Sequence, residues 1–152
     1  MMNRHTRPAI VTMTLLAASG CGDNQHPEAA IALYEQIQQE DYQSFARAPG
    51  YETRKPSDAP HSDNVDIFIN SVVADALAAG EPLTSWPEGS LIVKDGYTDD
   101  GELELVAVMD KRSDGWFYAE YFDGDAKFSG KPDVCTDCHS SGADFVLAFG
   151  FP

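Results

Sequence analysis

The chain has 152 residues, with 25 Asp and Glu against 10 Lys and Arg, so its formal net charge is −15. This length fits one domain, and 43% hydrophobic with 23% charged residues is typical of a globular protein. The acidic balance argues against nucleic acid as a partner and against docking on anionic lipid heads, because both need clustered Lys and Arg.

The first 20 residues are predicted to be an export signal rather than part of the fold. Arg4 and Arg7 give a basic start, and the apolar run that follows is too short to span a bilayer, which takes about 20 apolar residues. Positions 18–21 read Ala-Ser-Gly-Cys, which resembles the cleavage box of bacterial lipoproteins; ordinary signal cleavage is the alternative. We therefore expect Cys21 to become an acylated N-terminus on the periplasmic side of a bacterial membrane, with membrane contact through the lipid alone.

Residues 21–27 are predicted to be a polar tether, and residues 28–152 a single domain. Apolar side chains recur at helical spacing from Glu28 to about Ala46, which predicts one amphipathic helix with a bend near Asp41. Residues 47–64 are rich in Pro, Gly, Asp and Ser and are predicted to form a long loop.

The sequence after residue 64 predicts mostly strands, which favours a sheet. Residues 65–70 are β-branched and predict a strand, and residues 72–79 predict a short helix that ends at Gly80. Three further strands are predicted over residues 90–94, 102–109 and 116–122. Their short connections favour antiparallel neighbours. The predicted fold is α+β: an antiparallel sheet of four to five strands with the N-terminal helix and the short helix packed on one side.

The motif that carries chemistry is Cys-Thr-Asp-Cys-His at positions 135–139, the attachment signature of c-type haem. Two thiols at this spacing can add to the two vinyl groups on one edge of the porphyrin. The His that follows directly then supplies the proximal nitrogen to the iron. The sequence therefore predicts one covalent haem c on Cys135 and Cys138, with His139 as the iron ligand.

Two alternatives for the cysteine pair are weaker. A zinc site needs four ligands and usually a second Cys or His pair at short spacing, which the sequence lacks. A thioredoxin-like dithiol needs its motif after a strand inside a βαβ unit, whereas this motif lies near the end of the sequence.

The sixth iron ligand is not evident from the sequence. Of the 13 residues after His139, none is Met or His. The upstream candidates are Met109, which is expected in the core, His61, which is expected to be solvated in a polar loop, and Lys94. An open distal position is therefore the preferred prediction.

The chain resembles the cytochrome P-460 family, whose relatives include the cytochromes c′-beta, over roughly residues 60–151. The resemblance rests on His61, the strand 65–70, the Ala-rich short helix, Trp-Pro-Glu-Gly at 86–89 with the strand that follows it, Gly-Trp-Phe-Tyr-Ala at 115–119 and the late haem motif. It implies a mostly antiparallel β fold, a dimer and five-coordinate haem c. Catalytic members oxidise hydroxylamine and carry a Lys joined to the porphyrin, whereas c′-beta members bind nitric oxide and carbon monoxide under an aromatic cap.

Three functions stay open at this point. The first is oxidation of hydroxylamine or a related small nitrogen compound, with electrons passed to a soluble redox partner; the second is nitric oxide binding; the third is electron transfer by a six-coordinate haem. The resemblance assigns the cross-linking role to Lys94, which shares a strand face with Ile92. Phe68 is a candidate aromatic cap of the haem pocket; the alternative is packing under the 47–64 loop. The sequence identifies no proton acceptor for the enzyme.

Overall fold

The computed structural model describes residues 25–57 and 60–152. The fold is α+β, as predicted. The helices are α1 (Pro27–Gln39), α2 (Ser71–Ala79) and α3 (Asp133–His139), and a 3-10 turn spans Tyr42–Ser44. No helix among the described residues has the length and hydrophobicity to cross a bilayer. The predicted lipidation site, Cys21, lies outside the described residues.

A seven-stranded antiparallel sheet forms the centre of the described residues. The strands are β1 (Ala46–Arg47), β2 (Lys55–Pro56), β3 (Asn64–Ile69), β4 (Leu91–Tyr97), β5 (Leu103–Arg112), β6 (Gly115–Phe122) and β7 (Asp125–Gly130). Their order is β1-β3-β4-β5-β6-β7, and β2 pairs with the same strand, β3, as β1 does. Strands β4 to β7 follow one another in both sequence and space, because two-residue or short turns connect them.

The sheet buries a hydrophobic cluster on each face. On one face, Leu33 and Ile37 of α1 pack against residues such as Phe68 and Val93. On the other face, Val73 of α2 packs with Ile92 and with side chains from the segment after α3. The two predicted helices therefore cover opposite faces, and the prediction that both pack on one side is wrong. Successive strand residues point to opposite faces, and β3 and β4 carry buried side chains at consecutive positions, so both faces of the sheet are covered.

The boundaries differ from the predictions where local signals are weak. The first helix ends at Gln39 rather than near residue 46, and Asp41 adopts a left-handed backbone with φ of 50° at the predicted bend. The predicted loop 47–64 contributes to β1 and contains β2. The prediction of four to five strands missed these short strands and β7, whose residues follow a tight Asp-Gly turn. The haem motif itself lies on a helix, α3, which was not predicted.

Candidate functional site

The three motif residues lie on one side of α3. Helical spacing brings residues three and four positions apart onto one face, so Cys135, Cys138 and His139 are neighbours. All three line one cavity of about 660 Å³, which is within the range of about 300–1,000 Å³ usual for cofactor sites. The two thiols are not joined to each other. Burial raises the pKa of the Cys135 thiol to about 11.

The sheet supplies the opposite wall of this cavity through two rows of side chains. One row runs across five strands in register, and consists of Ile67, Lys94, Ala107, Glu120 and Phe128. A second row, two residues along, includes Ile92, Met109 and Tyr118. Both rows line the cavity. Residues two apart on a strand share a face, which explains why the wall is built from alternate positions.

A backbone carbonyl orients the predicted iron ligand. Nδ1 of His139 lies 2.8 Å from the carbonyl oxygen of Phe145. Since a carbonyl can only accept a hydrogen bond, Nδ1 carries the proton and Nε2 is the nitrogen left with a free lone pair. Burial lowers the pKa of His139 and so favours the neutral ring. Histidines that bind metals are usually fixed in this way through their second nitrogen.

The turn that presents this carbonyl, residues 143–146, is strained and tightly held. Asp144 and Phe145 have φ values of 47° and 68°, in the left-handed region that non-glycine residues avoid. Trp86 and Trp116 donate their indole N–H groups to the carbonyls of residues 143 and 144 at 3.0 and 2.6 Å. The carboxylate of Asp144 accepts a hydrogen bond from Nζ of Lys111 at 2.7 Å. We refer to these residues as the 143–146 turn.

Lys94 lies on the cavity wall. It shares a face with Ile92, as the strand parity predicted, while Leu91 and Val93 lie in the cluster on the other face. The strand does not end at Lys94 but continues to Tyr97. Burial lowers the pKa of Lys94, and the nearby Cys138 and Glu120 oppose this shift. The amine is therefore shifted towards its neutral, nucleophilic form.

Two polar residues line the cavity although the sequence did not favour them as part of a site. His61, expected to be solvated, lies with its ring centre 6.4 Å from that of His139. Its Nδ1 is 3.6 Å from Oε2 of Glu120, and their side chains are only 19% and 14% exposed. Glu120, which the sequence did not single out as a proton acceptor, shares its strand face with Tyr118 and Trp116. The alternation of β6 could have identified Glu120 once Trp116 was placed in the core.

Phe68 does not reach this cavity. It packs edge-on against Tyr42 in the cluster on the other face of the sheet, and Arg47 lies over its ring at 4.5 Å. Its side chain points away from Ile67 and Ile69, which belong to the cavity-side cluster. The structure therefore places Phe68 on the face opposite the cavity, contrary to the predicted aromatic cap.

The cavity residues fit a haem c group. Two buried polar atoms on the wall, Nδ1 of His61 and Oη of Tyr118, have no hydrogen-bond partner among the described residues. Two apolar side chains at the cavity, Val134 and Leu147, are 63% and 49% exposed, and a large planar ligand would cover them. No group of three or more His, Cys, Asp or Glu within residues 25–57 and 60–152 is placed to hold a bare metal ion. A haem iron needs at most two protein ligands, because the porphyrin supplies the others.

The sequence matches no family model and no curated protein. The resemblance to the cytochrome P-460 family therefore rests on the sequence motifs alone.

Proposed function

We propose that this chain is a mono-haem c-type cytochrome, with the haem joined to Cys135 and Cys138 and bound through His139. The observation that carries the proposal is the hydrogen bond from Nδ1 of His139 to the carbonyl of Phe145. It leaves Nε2 of that ring for a metal, beside two thiols at attachment spacing and at the edge of a large cavity. When bound, haem supplies one-electron redox chemistry at its iron.

The reaction we propose is oxidation of hydroxylamine or a related small nitrogen compound, with electrons passed to a soluble redox protein. Two cavity residues support it. Burial favours the neutral amine of Lys94, the state that the cross-linked Lys of catalytic relatives requires. Glu120 brings a carboxylate to the same wall, two strands away from Lys94, where it can accept a proton released by the substrate.

A second candidate is electron transfer by a six-coordinate haem. It is favoured by one observation, the distance between the rings of His61 and His139. The nitric oxide-binding alternative loses its proposed aromatic cap, because Phe68 belongs to the other face of the sheet.

Haem attachment is tested by replacing both motif cysteines. Wild type should keep haem through denaturing acid–acetone extraction, and the Cys135→Ala/Cys138→Ala variant should lose it. Cys21→Ala removes the third cysteine of the chain and is the matched control, which should keep covalent haem. Retention of haem by the double variant would contradict the attachment.

The reaction is tested by a digest of the holoprotein. If Lys94 is joined to the porphyrin, the haem peptide contains both the segment around Lys94 and the segment 135–139. A haem peptide with only the latter segment, together with an unchanged absorption spectrum for Lys94→Ala, would favour the second candidate.

Export and lipid anchoring are part of the same proposal. They are supported by the basic start, the short apolar run and the Ala-Ser-Gly-Cys tetrapeptide at 18–21. Mass spectrometry of the protein from its native host should find an acylated N-terminal Cys21. An intact Met1 would overturn this part.

A further inference from the structure

We propose that Lys127 binds a propionate carboxylate of the haem, on the side of the cavity away from the two motif cysteines. The proposal rests on the haem function proposed above and names a further residue that holds the same cofactor. Haem carries its two propionates on the side of the porphyrin opposite the vinyl groups. Attachment of the vinyl edge to α3 therefore directs the carboxylates away from that helix.

A β-bulge in β7 brings Lys127 to the cavity face of the sheet. Phe128 pairs with Glu120 of β6. The next pair joins Ala126 to Tyr121, so one residue, Lys127, has no partner on the neighbouring strand. In a regular strand, Lys127 and Phe128 would point to opposite faces, whereas here both line the cavity. The bulge thus adds a cation to a wall that alternation alone would not give it.

The charge of Lys127 is not balanced by a neighbouring carboxylate. The chain has 25 Asp and Glu against 10 Lys and Arg. Ion pairs hold five basic side chains: Arg47, Arg54, Lys111, Arg112 and Lys131. No ion pair joins Lys127 to a carboxylate within residues 25–57 and 60–152. In so acidic a chain, this leaves the ammonium group at the cavity for an anionic group of a ligand.

Two aromatic rings of the cavity orient this ammonium group. Nζ of Lys127 lies 4.7 Å from the ring centre of Phe122 and 5.9 Å from that of Phe128. Both phenylalanines line the cavity. A cation within about 6 Å of an aromatic ring is attracted to the face of that ring. The rings therefore hold the amine at the cavity, while its N–H groups can donate hydrogen bonds to a carboxylate.

The place of Lys127 along the sheet fits the propionate side of the haem. Tyr118, whose ring centre is 5.4 Å from that of His139, pairs with Gly130 at the end of β7 that leads into α3. Lys127 lies three residues before Gly130, roughly 10 Å along the strand, in the direction away from α3. Its side chain is exposed. A carboxylate is costly to bury, so the solvent-exposed margin of a cavity with a cation beside it is a favourable place for a propionate.

The other lysine of the cavity is less suited to this role. Lys94 lies within the wall, in the same row as Glu120, so a propionate beside it would meet a second carboxylate. No further Lys or Arg of the described chain lines the cavity.

The test compares four haem-loaded proteins: wild type, Lys127→Met, Lys127→Arg and, as the matched control, Lys55→Met. Lys55 is also exposed, has no ion pair among the described residues and lies 5.5 Å from the ring centre of Tyr51, but it does not line the cavity. Methionine keeps an apolar stem over the aromatic rings, so the exchange removes the charge and little of the packing.

Resonance Raman spectroscopy of the propionate bending mode is the deciding measurement, because this mode responds to hydrogen bonds at the carboxylate. The mode should shift in Lys127→Met, stay unchanged in Lys55→Met and lie closer to wild type in Lys127→Arg, which keeps a cation. The reduction potential should fall in Lys127→Met, since loss of a nearby positive charge favours the ferric state.

A propionate mode that Lys127→Met leaves unchanged would overturn the inference whatever the potential does, and so would an equal shift in Lys55→Met. In both cases covalent haem in the wild type would show that the haem proposal itself stands. Loss of haem from the wild type on denaturing extraction would instead refute the haem proposal, and this inference with it.

Discussion

Replacement of Asp144 by Ala tests whether the 143–146 turn is held by its buried carboxylate. Oδ2 of Asp144 accepts hydrogen bonds from Nζ of Lys111 at 2.7 Å, the backbone N–H of Trp86 at 2.8 Å and Oγ of Ser85 at 3.1 Å. The side chains of Lys111 and Asp144 are only 12% and 14% exposed. A hydrogen bond to a charged group contributes about 1.5–3 kcal/mol, and a buried N–H left unpaired costs about 1–3 kcal/mol.

Asp144→Ala should therefore lower the free energy of unfolding by about 3–4 kcal/mol, since it leaves the Lys111 ammonium and the Trp86 N–H without their acceptor. At a urea dependence of about 1–3 kcal/mol per molar, the unfolding midpoint falls by roughly 1–4 M. Urea titration followed by tryptophan fluorescence is the assay, because both tryptophans donate hydrogen bonds to this turn.

Asp114→Ala is the matched control for that substitution. Asp114 also binds a lysine, Lys131, at 2.8 Å, but its side chain is 71% exposed. Exposed ion pairs contribute little to stability, so the midpoint of this variant should stay close to that of wild type. Equal shifts for the two variants, or no shift for Asp144→Ala, would refute the argument from burial.

Three further outcomes follow from the geometry of the cavity. A Cβ atom at Gly142 would overlap the carbonyl oxygen of Val146, so Gly142→Ala should displace the 143–146 turn together with the His139 ring and change the absorption spectrum of the haem-loaded protein. Gly150→Ala, which meets no atom within 4 Å, should leave the spectrum unchanged. Burial lowers the pKa of Lys94, so between this lowered pKa and about 10.4, the pKa of an unperturbed Lys, the unfolded chain binds more protons than the folded one. The free energy of unfolding of wild type therefore rises with pH over that pH range. Lys94→Met should be more stable than wild type below that range, and urea titrations at successive pH values should show this difference shrinking as the pH rises through it. Tyr118→Phe removes a buried hydroxyl that has no hydrogen-bond partner within residues 25–57 and 60–152, and it should stabilise the haem-free protein by about 1 kcal/mol in thermal unfolding.

The predictions were confirmed where they depend only on residues close together in the sequence. The face shared by Lys94 and Ile92 follows from alternation within one strand, so it needs no knowledge of the rest of the fold. The expected burial of Met109 was confirmed, because large apolar side chains are usually buried.

The predictions failed where contacts with a distant segment of the chain determine the place of a residue. Phe68 and Lys94 lie on opposite faces, and only the docking of α1 on one face and of the C-terminal segment on the other tells which face holds the cavity. The position of His61 depends on the lack of a side chain at Gly96, some 35 positions later. The spacing of residues within either segment alone cannot predict the contact between Gly96 and His61.

The seven strands of the described residues all precede α3 in the chain. Strands β4 to β7 pair with their neighbours in sequence, and such short-range pairings form quickly compared with distant ones. The sheet can therefore be complete while the segment with Cys135 and Cys138 is still undocked. If haem is attached as proposed, both thiols then lie on a segment that follows the last strand of the sheet in the chain, so attachment need not wait for any later strand to pair.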